Sequence, residues 1–310
     1  RRGEVDRAIR MHLNLYERAD LDEGKRQQAL FELAQDYLKA GILDRAESAF
    51  HGLSGTPYEQ AALEFLLEIY QKEQDWLKAI DISQRLATLT GNPYGRLAAF
   101  FYCELAEREC AAKQMEPAVV HLEQALAADP QGVRATIKLG DIALAGGDAA
   151  RAIEIWRSVE TRDAQYLPLV AEKLLQAYRQ GGDEAGGIAL LRGYLQTHPS
   201  LDLMNVLFGV LVAVEGPEAA YQMVLNELKR NPTLLGLDKL LEAQLLKMTG
   251  ERRGDVELVK SLIHNRTRGL AMYRCKHCGF KARQFYWHCP ACHSWESYSP
   301  KRSEENGLIA

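Results

Sequence analysis

A small residue followed four positions later by a larger one recurs along most of the chain. The small member is alanine six times and glycine once, and successive small positions are 38, 33, 39, 34, 35 and 33 residues apart. A period near 34 residues is typical of a repeat protein and not of a fold with one central core. The small residues are Ala8, Ala46, Ala79, Ala118, Ala152, Gly187 and Ala220, and the larger ones are His12, Phe50, Ser83, Leu122, Trp156, Leu191 and Val224.

Each unit has the marks of two helices joined by a turn. A leucine lies thirteen residues before the small position in six units, and runs such as Gly146-Gly147-Asp148 come between the helices. Pro130, Pro199 and Pro232 lie twelve residues after the small position, where proline ends a helix because it has no amide donor and clashes with the preceding turn. We therefore expect the small residue to lie between the two helices of an all-α hairpin, with Ala46, Ala79, Ala118, Ala152 and Ala220 buried.

The periodic pattern stops at Pro232, and the chain beyond it divides into three parts. Residues 233–268 contain two amphipathic segments, Leu234 to Met248 and Asp255 to Arg268, which we interpret as helices that cap the last repeat. Residues 269–299 hold a cysteine cluster, and the polar tail 300–310 is expected to fray. Residues 1–232 begin with a helix that has no partner before it, so we expect the first repeat to be truncated.

Cys275, Cys278, Cys289 and Cys292 form two Cys-x-x-Cys pairs separated by ten residues. Each pair wraps a tight turn that directs both sulfurs to one point, so the spacing predicts one metal ion in a tetrahedral four-cysteine site. Two disulfides are the alternative, but six cysteines in 310 residues is a low density and no signal peptide is visible. Iron and zinc both suit four thiolates.

Several other residues bear on this cysteine segment. His277, His288 and His293 could displace a cysteine, but with four cysteines available we interpret them as solvent-facing or hydrogen-bonded nearby. Cys103 and Cys110 share a helix face and are interpreted as buried or half-buried thiols. The aromatic residues predicted to form the segment's core and its contact with the repeats are Tyr273, Phe280, Phe285, Tyr286, Trp287, Trp295 and Tyr298.

Charge is distributed unevenly along the chain. Between Arg252 and Arg302 there are 11 lysines and arginines against three acids, a net charge of +8, and because the whole chain carries −4 the remainder carries −12. We interpret the basic segment as one that docks on acidic repeats or faces an anionic membrane surface. Only six residues separate Arg268 from Cys275, too few for a free tether. Nucleic-acid binding is an alternative that we do not expect.

The sequence offers no support for catalysis. It contains no phosphate-binding loop, no nucleophile elbow and no cluster of carboxylates or histidines beyond helix surfaces. Four thiolates around one ion leave no open coordination position for a substrate. We therefore expect no catalytic residues and no enzyme activity. No run of about 20 apolar residues is present, so no membrane-spanning helix is predicted.

The hairpin pattern of residues 1–232 resembles the tetratricopeptide repeat, and Tyr273–Phe280 with Trp287–His293 resembles a pair of rubredoxin knuckles. The resemblance implies an all-α tetratricopeptide-repeat solenoid with a small C-terminal rubredoxin-like metal module. The gap of ten is shorter than in electron-carrying rubredoxins, and His293 stands where a glycine usually follows the last ligand. Both departures favour a structural metal, with a redox protein that transfers electrons at this site as the alternative.

This combination resembles the lipopolysaccharide assembly protein B family, in which an inner-membrane anchor precedes cytoplasmic repeats and a rubredoxin-like domain. The resemblance implies a regulatory adaptor at the cytoplasmic face of the bacterial inner membrane, with the anchor missing from this chain. By the same resemblance, the adaptor promotes turnover of the deacetylase of the lipid A pathway by a membrane-bound AAA+ zinc protease. It also responds to an inner-membrane sensor of lipopolysaccharide supply, and its oligomeric state stays open.

Overall fold

The computed structural model describes residues 2–250 and 252–305, which form two compact units that divide between Ala135 and Thr136. The first unit consists of successive helices that pack against their neighbours in sequence, together with the first residues of α8. Its helices are α1 (Arg2–Glu17), α2 (Glu23–Ala40), α3 (Leu43–His51), α4 (Glu59–Glu73), α5 (Trp76–Thr90), α6 (Gly95–Ala111) and α7 (Met115–Ala128).

The second unit continues the helical hairpins and ends in a small β-structured module. Its helices are α8 (Val133–Ala145), α9 (Ala149–Arg157), α10 (Val159–Asp163), a 3-10 helix (Ala164–Tyr166), α11 (Leu167–Gln180), α12 (Glu184–Thr197), α13 (Leu201–Val214), α14 (Pro217–Arg230), α15 (Leu234–Lys247) and α16 (Arg252–Thr267). Its strands are β1 (Tyr273–Arg274) and β2 (Lys281–Ala282), which pair antiparallel. The prediction of an all-α repeat fold with a small C-terminal cysteine module is confirmed.

The turn residues act as helix signals in the way that the sequence predicts. Asp75, Asp148 and Asp183 precede α5, α9 and α12, and each accepts the backbone amide three residues further on. Such a cap satisfies one of the four amides that a helix leaves unpaired at its start. At the other end, Gly41 closes α2 in the left-handed conformation with φ 75°, which glycine adopts without a Cβ clash.

The repeated small residues lie where two helices meet. Five of them have no exposed surface, namely Ala46, Ala79, Ala118, Ala152 and Ala220. The larger residues four positions on are buried in the same units, and Phe50, Leu122, Trp156 and Val224 are each at most 1% exposed. A side chain of one carbon lets the two helix backbones approach closely, and the larger side chain fills the space beside it. The predicted burial is confirmed.

The repeat that contains Trp156 is adapted to this large core side chain. Its indole Nε1 donates a hydrogen bond of 3.0 Å to the backbone oxygen of Ile137 in α8. Gly140 lies one turn further along α8, and a Cβ built on it would overlap the indole ring. The buried indole therefore requires glycine at this position and keeps its polar atom paired, which a buried tryptophan needs.

Two features of the second unit differ from the expected pattern. A short α10 and a 3-10 helix intervene between α9 and α11, and they place Tyr166 in a buried position at the start of α11. The part of the tail that the structure describes is packed and not frayed, because Ser303 and Glu304 are only 4% and 7% exposed. Residues 306–310 lie outside the described residues. Within the described residues, no helix combines the length and apolar character that crossing a membrane requires.

Replacement of Ala152 by leucine should destabilise the protein by about 1–3 kcal/mol, because the larger side chain must be accommodated where α9 packs closely. Ala150 in the same helix is exposed, so Ala150→Leu is the matched control. Denaturant unfolding followed by circular dichroism measures both variants. Equal unfolding midpoints for the two variants would contradict the assignment of Ala152 to the helix interface.

Candidate metal centre

The cysteine module is built on a short hairpin and two isolated bridges. In the hairpin Tyr273 pairs with Ala282, and the first Cys-x-x-Cys pair lies in the connection that follows β1. Cys275 forms a bridge with Tyr298, and His288 forms one with Trp295 next to the second pair. The backbone therefore brings the two turns together from positions more than ten residues apart.

The four sulfur atoms form one cluster. All four Sγ atoms lie within 4.8 Å of one another, with Cys275 to Cys292 at 3.8 Å and Cys278 to Cys289 at 3.7 Å. A tetrahedral ion with metal–sulfur bonds of about 2.3 Å requires sulfur–sulfur edges of about 3.8 Å. These two sulfur–sulfur distances match that requirement. Among the described residues, no other group of three or more potential His, Cys, Asp or Glu ligands converges in this way.

Each cysteine pair sits on a tight knuckle. The amide of Gly279 donates to the carbonyl oxygen of Cys275 at 3.0 Å, and Gly279 has a φ of 77°. The second knuckle repeats the bond from His293 to Cys289 at 2.9 Å. His293 there has a φ of 56°, in the left-handed region that costs a residue with a Cβ roughly 1–2 kcal/mol. The histidine that departs from the rubredoxin pattern therefore keeps the glycine conformation.

The protonation of the cluster shows why it suits a cation. The hydroxyl and amide of Ser294 stabilise the Cys292 thiolate and lower its pKa to about 5. The amide of Phe280 favours the Cys278 thiolate, but desolvation and the neighbouring sulfurs outweigh it and raise the pKa of Cys278 to about 12. Four negative sulfurs this close repel one another, and a bound cation removes that repulsion. The donor set therefore fits a metal ion.

None of the three neighbouring histidines joins the sulfur cluster. His288 Nε2 lies 2.9 Å from the backbone oxygen of His293, and the His288 ring stacks on Trp295 with centroids 4.2 Å apart. His277 and His293 are exposed. Cys103 and Cys110 lie in α6, where Cys103 is buried and Cys110 half-buried.

Comparison with known proteins supports the metal site and decides the family. A family model described as a rubredoxin metal binding domain matches residues 273–300. Lipopolysaccharide assembly protein B of Escherichia coli strain K12 is 35% identical over 303 residues, which cover 97% of this chain and 78% of that protein. The chain belongs to the lipopolysaccharide assembly protein B family. This confirms the resemblance drawn from the sequence, and a four-cysteine metal-binding site is present in this member of the family.

Other matches are more distant. Lipopolysaccharide assembly protein B of Haemophilus influenzae is 28% identical over 309 residues, covering 98% of this chain and 77% of that protein. Among solved structures, the MamA protein matches at 18% identity with a TM-score of 0.36, covering 56% of this chain and 92% of that one.

Aromatic rings join the metal module to the hairpins in this lipopolysaccharide assembly protein B relative. Tyr166 stacks on Trp287 with ring centroids 5.2 Å apart, and it meets the edge of Phe285 at 6.1 Å. Phe285 also contacts the buried Tyr273 and Tyr298 inside the module. These contacts agree with the predicted core, whereas Phe280 is 43% exposed and does not belong to it. Phe280 lies between Gly279 of the first knuckle and the start of β2.

A single carboxylate of α13 binds both the module and the tail. Asp202 accepts a hydrogen bond of 2.7 Å from the Tyr273 hydroxyl. Arg302 donates to both oxygens of Asp202 at 2.7–3.0 Å, and its guanidinium lies 4.0 Å from the centre of the Tyr273 ring. Arg302 also donates to the backbone oxygen of Ala271 at 2.7 Å. We call Asp202, Tyr273 and Arg302 the clasp.

The tail adds two carboxylates that cap helices α13 and α15. Glu305 Oε1 accepts the Leu201 amide at the start of α13 at 2.9 Å, and Glu304 accepts the amides of Leu234 and Leu235 at the start of α15. A carboxylate at a helix N-terminus is stabilised by the unpaired amides and the helix dipole. Burial raises the pKa of Glu305, although the hydrogen bonds that it accepts from backbone amides act to lower that pKa.

These contacts revise the charge argument from the sequence. One residue of the basic segment does meet an acid of the repeats, through Arg302 and Asp202. In the two capping contacts the signs of the charges are reversed. The tail supplies the negative carboxylates, and the helix N-termini supply the positive charge. Glu304 and Glu305 were not predicted as capping residues, because their partners are 69 to 104 residues away along the chain and no local spacing links them.

Cys289→Ser should abolish metal binding and unfold the module while leaving most of the helix signal, because the hairpins depend mainly on their neighbours. Metal per chain measured by mass spectrometry and far-UV circular dichroism check the two parts. Cys110→Ser in α6 is the control and should keep the metal. Loss of all helicity in Cys289→Ser would show that the module holds the hairpins together.

Arg302→Ala should loosen the docked module, because Asp202 then loses its charged partner in a site where it is only 15% exposed. The free energy required to undock the module should fall by about 2–4 kcal/mol, because the pair is partly buried. Amide hydrogen exchange of β1, β2 and the residue 285–298 segment measures it. Lys281→Ala, at the exposed position of β2, is the matched control, and equal exchange in both variants would contradict the role of the clasp.

Proposed function

We propose that this chain is a regulatory adaptor of lipopolysaccharide assembly that holds protein partners in a groove shared by the repeats and the metal module. The family supports the process, since its members are named for lipopolysaccharide assembly. The observation that carries the adaptor role is a cavity of about 420 Å³ whose wall includes α11 and α13 of the repeats and a residue of the module.

The groove has the chemistry of a polypeptide site. It is lined by Pro168, Leu169, Glu172, Lys173, Gln176, Asp202, Asn205, Val206 and Tyr273. Gln176 and Asn205 are exposed amides on α11 and α13 that can pair with the peptide groups of an extended chain. The remaining lining is mixed in charge and contains little aromatic surface, in contrast to the largely apolar pockets that enclose small molecules.

The metal gives this groove its shape without taking part in chemistry. Cys275, Cys278, Cys289 and Cys292 are the proposed ligands of one iron or zinc ion, which supplies a structural cross-link and has no open position for a substrate. Cys275 follows directly after β1, and β1 carries Tyr273 into the groove wall. Loss of the ion therefore removes one wall of the groove together with the clasp.

The proposed partners follow from the family resemblance. They are a membrane-bound AAA+ zinc protease, the deacetylase of the lipid A pathway whose turnover the adaptor promotes, and an inner-membrane sensor of lipopolysaccharide supply. The proposed location is the cytoplasmic face of the bacterial inner membrane. A repeat groove that binds one polypeptide while other surfaces bind a second suits an adaptor between a protease and its substrate.

The test is reconstituted degradation of the deacetylase by the protease with purified adaptor variants. Gln176→Ala combined with Asn205→Ala should weaken deacetylase or protease binding about tenfold, because each lost hydrogen bond costs about 0.5–1.5 kcal/mol. Gln60→Ala combined with Gln84→Ala, in α4 and α5, is the matched control. The Cys289→Ser variant should lose stimulation of degradation, and full stimulation by it would refute the role given to the module.

A further inference from the structure

The last helix, α16, has one face that packs on the protein and one that does not. Its inner side pairs with α15, where Lys260 Nζ lies 3.8 Å from Glu242 and His264 lies 3.0 Å from Asp238. Leu258 and Leu262 on the other side are 62% and 63% exposed, among the largest exposures of apolar side chains in the described residues. Together with Val259 these two leucines form a contiguous apolar strip, with Asp255 and Arg266 at its two ends.

The strip has a symmetric arrangement of charge and apolar groups. Intervals of four, three and four residues separate Asp255, Val259, Leu262 and Arg266. The order of these intervals is therefore the same from either end of the helix. Val259 is 46% exposed, and Asp255 and Arg266 are exposed as well. Neither charged residue forms an ion pair with any residue in the described part of the chain. The acid lies at one end of the strip and the base at the other.

We propose that a second copy of this chain binds here, with the two α16 helices antiparallel about a two-fold axis. In that arrangement Val259 lies against the partner subunit's Leu262, and Asp255 lies against the partner subunit's Arg266. The two-fold axis repeats both contacts, so one strip supplies two apolar contacts and two ion pairs. Self-complementarity of this kind is the property that an isologous interface requires.

The charge pattern favours a second copy over the other surfaces that an apolar helix face can meet. A helix that lies on an anionic membrane carries cations along both borders of its apolar strip. Here an acid occupies one end, and it would be repelled by such a surface. The strip is also short, so the contact is smaller than the roughly 1,200 Å² of the smallest stable interfaces, and self-association should be weak, at about 10–1,000 μM.

Charge reversal tests the arrangement with the full chain. Asp255→Arg gives a helix with two bases at the strip ends, and Arg266→Asp gives one with two acids. Each variant alone should self-associate at least about tenfold more weakly than the unchanged chain, because two attractive pairs become two repulsive pairs. An equimolar mixture of the two variants should recover association, since every base then faces an acid. Sedimentation equilibrium between about 10 μM and 1 mM measures all three.

Two leucine variants and a check of folding complete the test. Leu77→Ser removes an equally exposed leucine from α5 and should leave association unchanged, whereas Leu262→Ser should weaken it. Circular dichroism verifies that the variants are folded. A chain that stays monomeric throughout the concentration range overturns the proposal, as does association that is insensitive to either reversal or a mixture that fails to associate. None of these outcomes bears on the peptide groove, so the adaptor proposal is tested separately.

Discussion

The metal module has to hold four thiolates within 4.8 Å of one another in a segment of 28 residues, and the rest of the structure depends on this constraint. A segment of that size buries too little apolar surface to fold by burial alone, and it contains only two strands of two residues. The sulfur cluster suits a metal cross-link, and the remaining stability comes from outside the module. Tyr166 supplies an aromatic surface, Asp202 a charge, and two helix N-termini supply positive ends.

The repeats are suited to provide that support because their hairpins expose similar ends at regular intervals. The starts of α13 and α15 both offer unpaired amides, and the tail carries two consecutive carboxylates that reach them. A solvent-exposed tail of this composition would stay mobile, whereas the capping hydrogen bonds hold it on the two helices. The break after α9 serves the same contact, since it places Tyr166 beside Trp287.

In the proposed function, the same clasp joins metal binding to partner binding. Asp202 belongs both to the clasp and to the lining of the groove, and Tyr273 belongs to both as well. Partner binding then depends on the metal, because β1 and the Asp202 carboxylate connect the metal site to the groove. A closed four-cysteine site acts in this way without redox chemistry, because the ion contributes only the geometry of the knuckles.

The sequence alone determined the features that rest on local chemistry. The interval between small residues predicted the hairpins, aspartate and proline marked helix ends, and the two Cys-x-x-Cys pairs identified the sulfur cluster, since each depends on residues fewer than about 40 positions apart. Only the tertiary structure showed that Phe280 is exposed, that the tail is packed, and that Asp202 meets Tyr273 and Arg302. The contacts of Asp202 join residues 71 and 100 positions apart, and no periodicity or local spacing encodes which distant surface a side chain will meet.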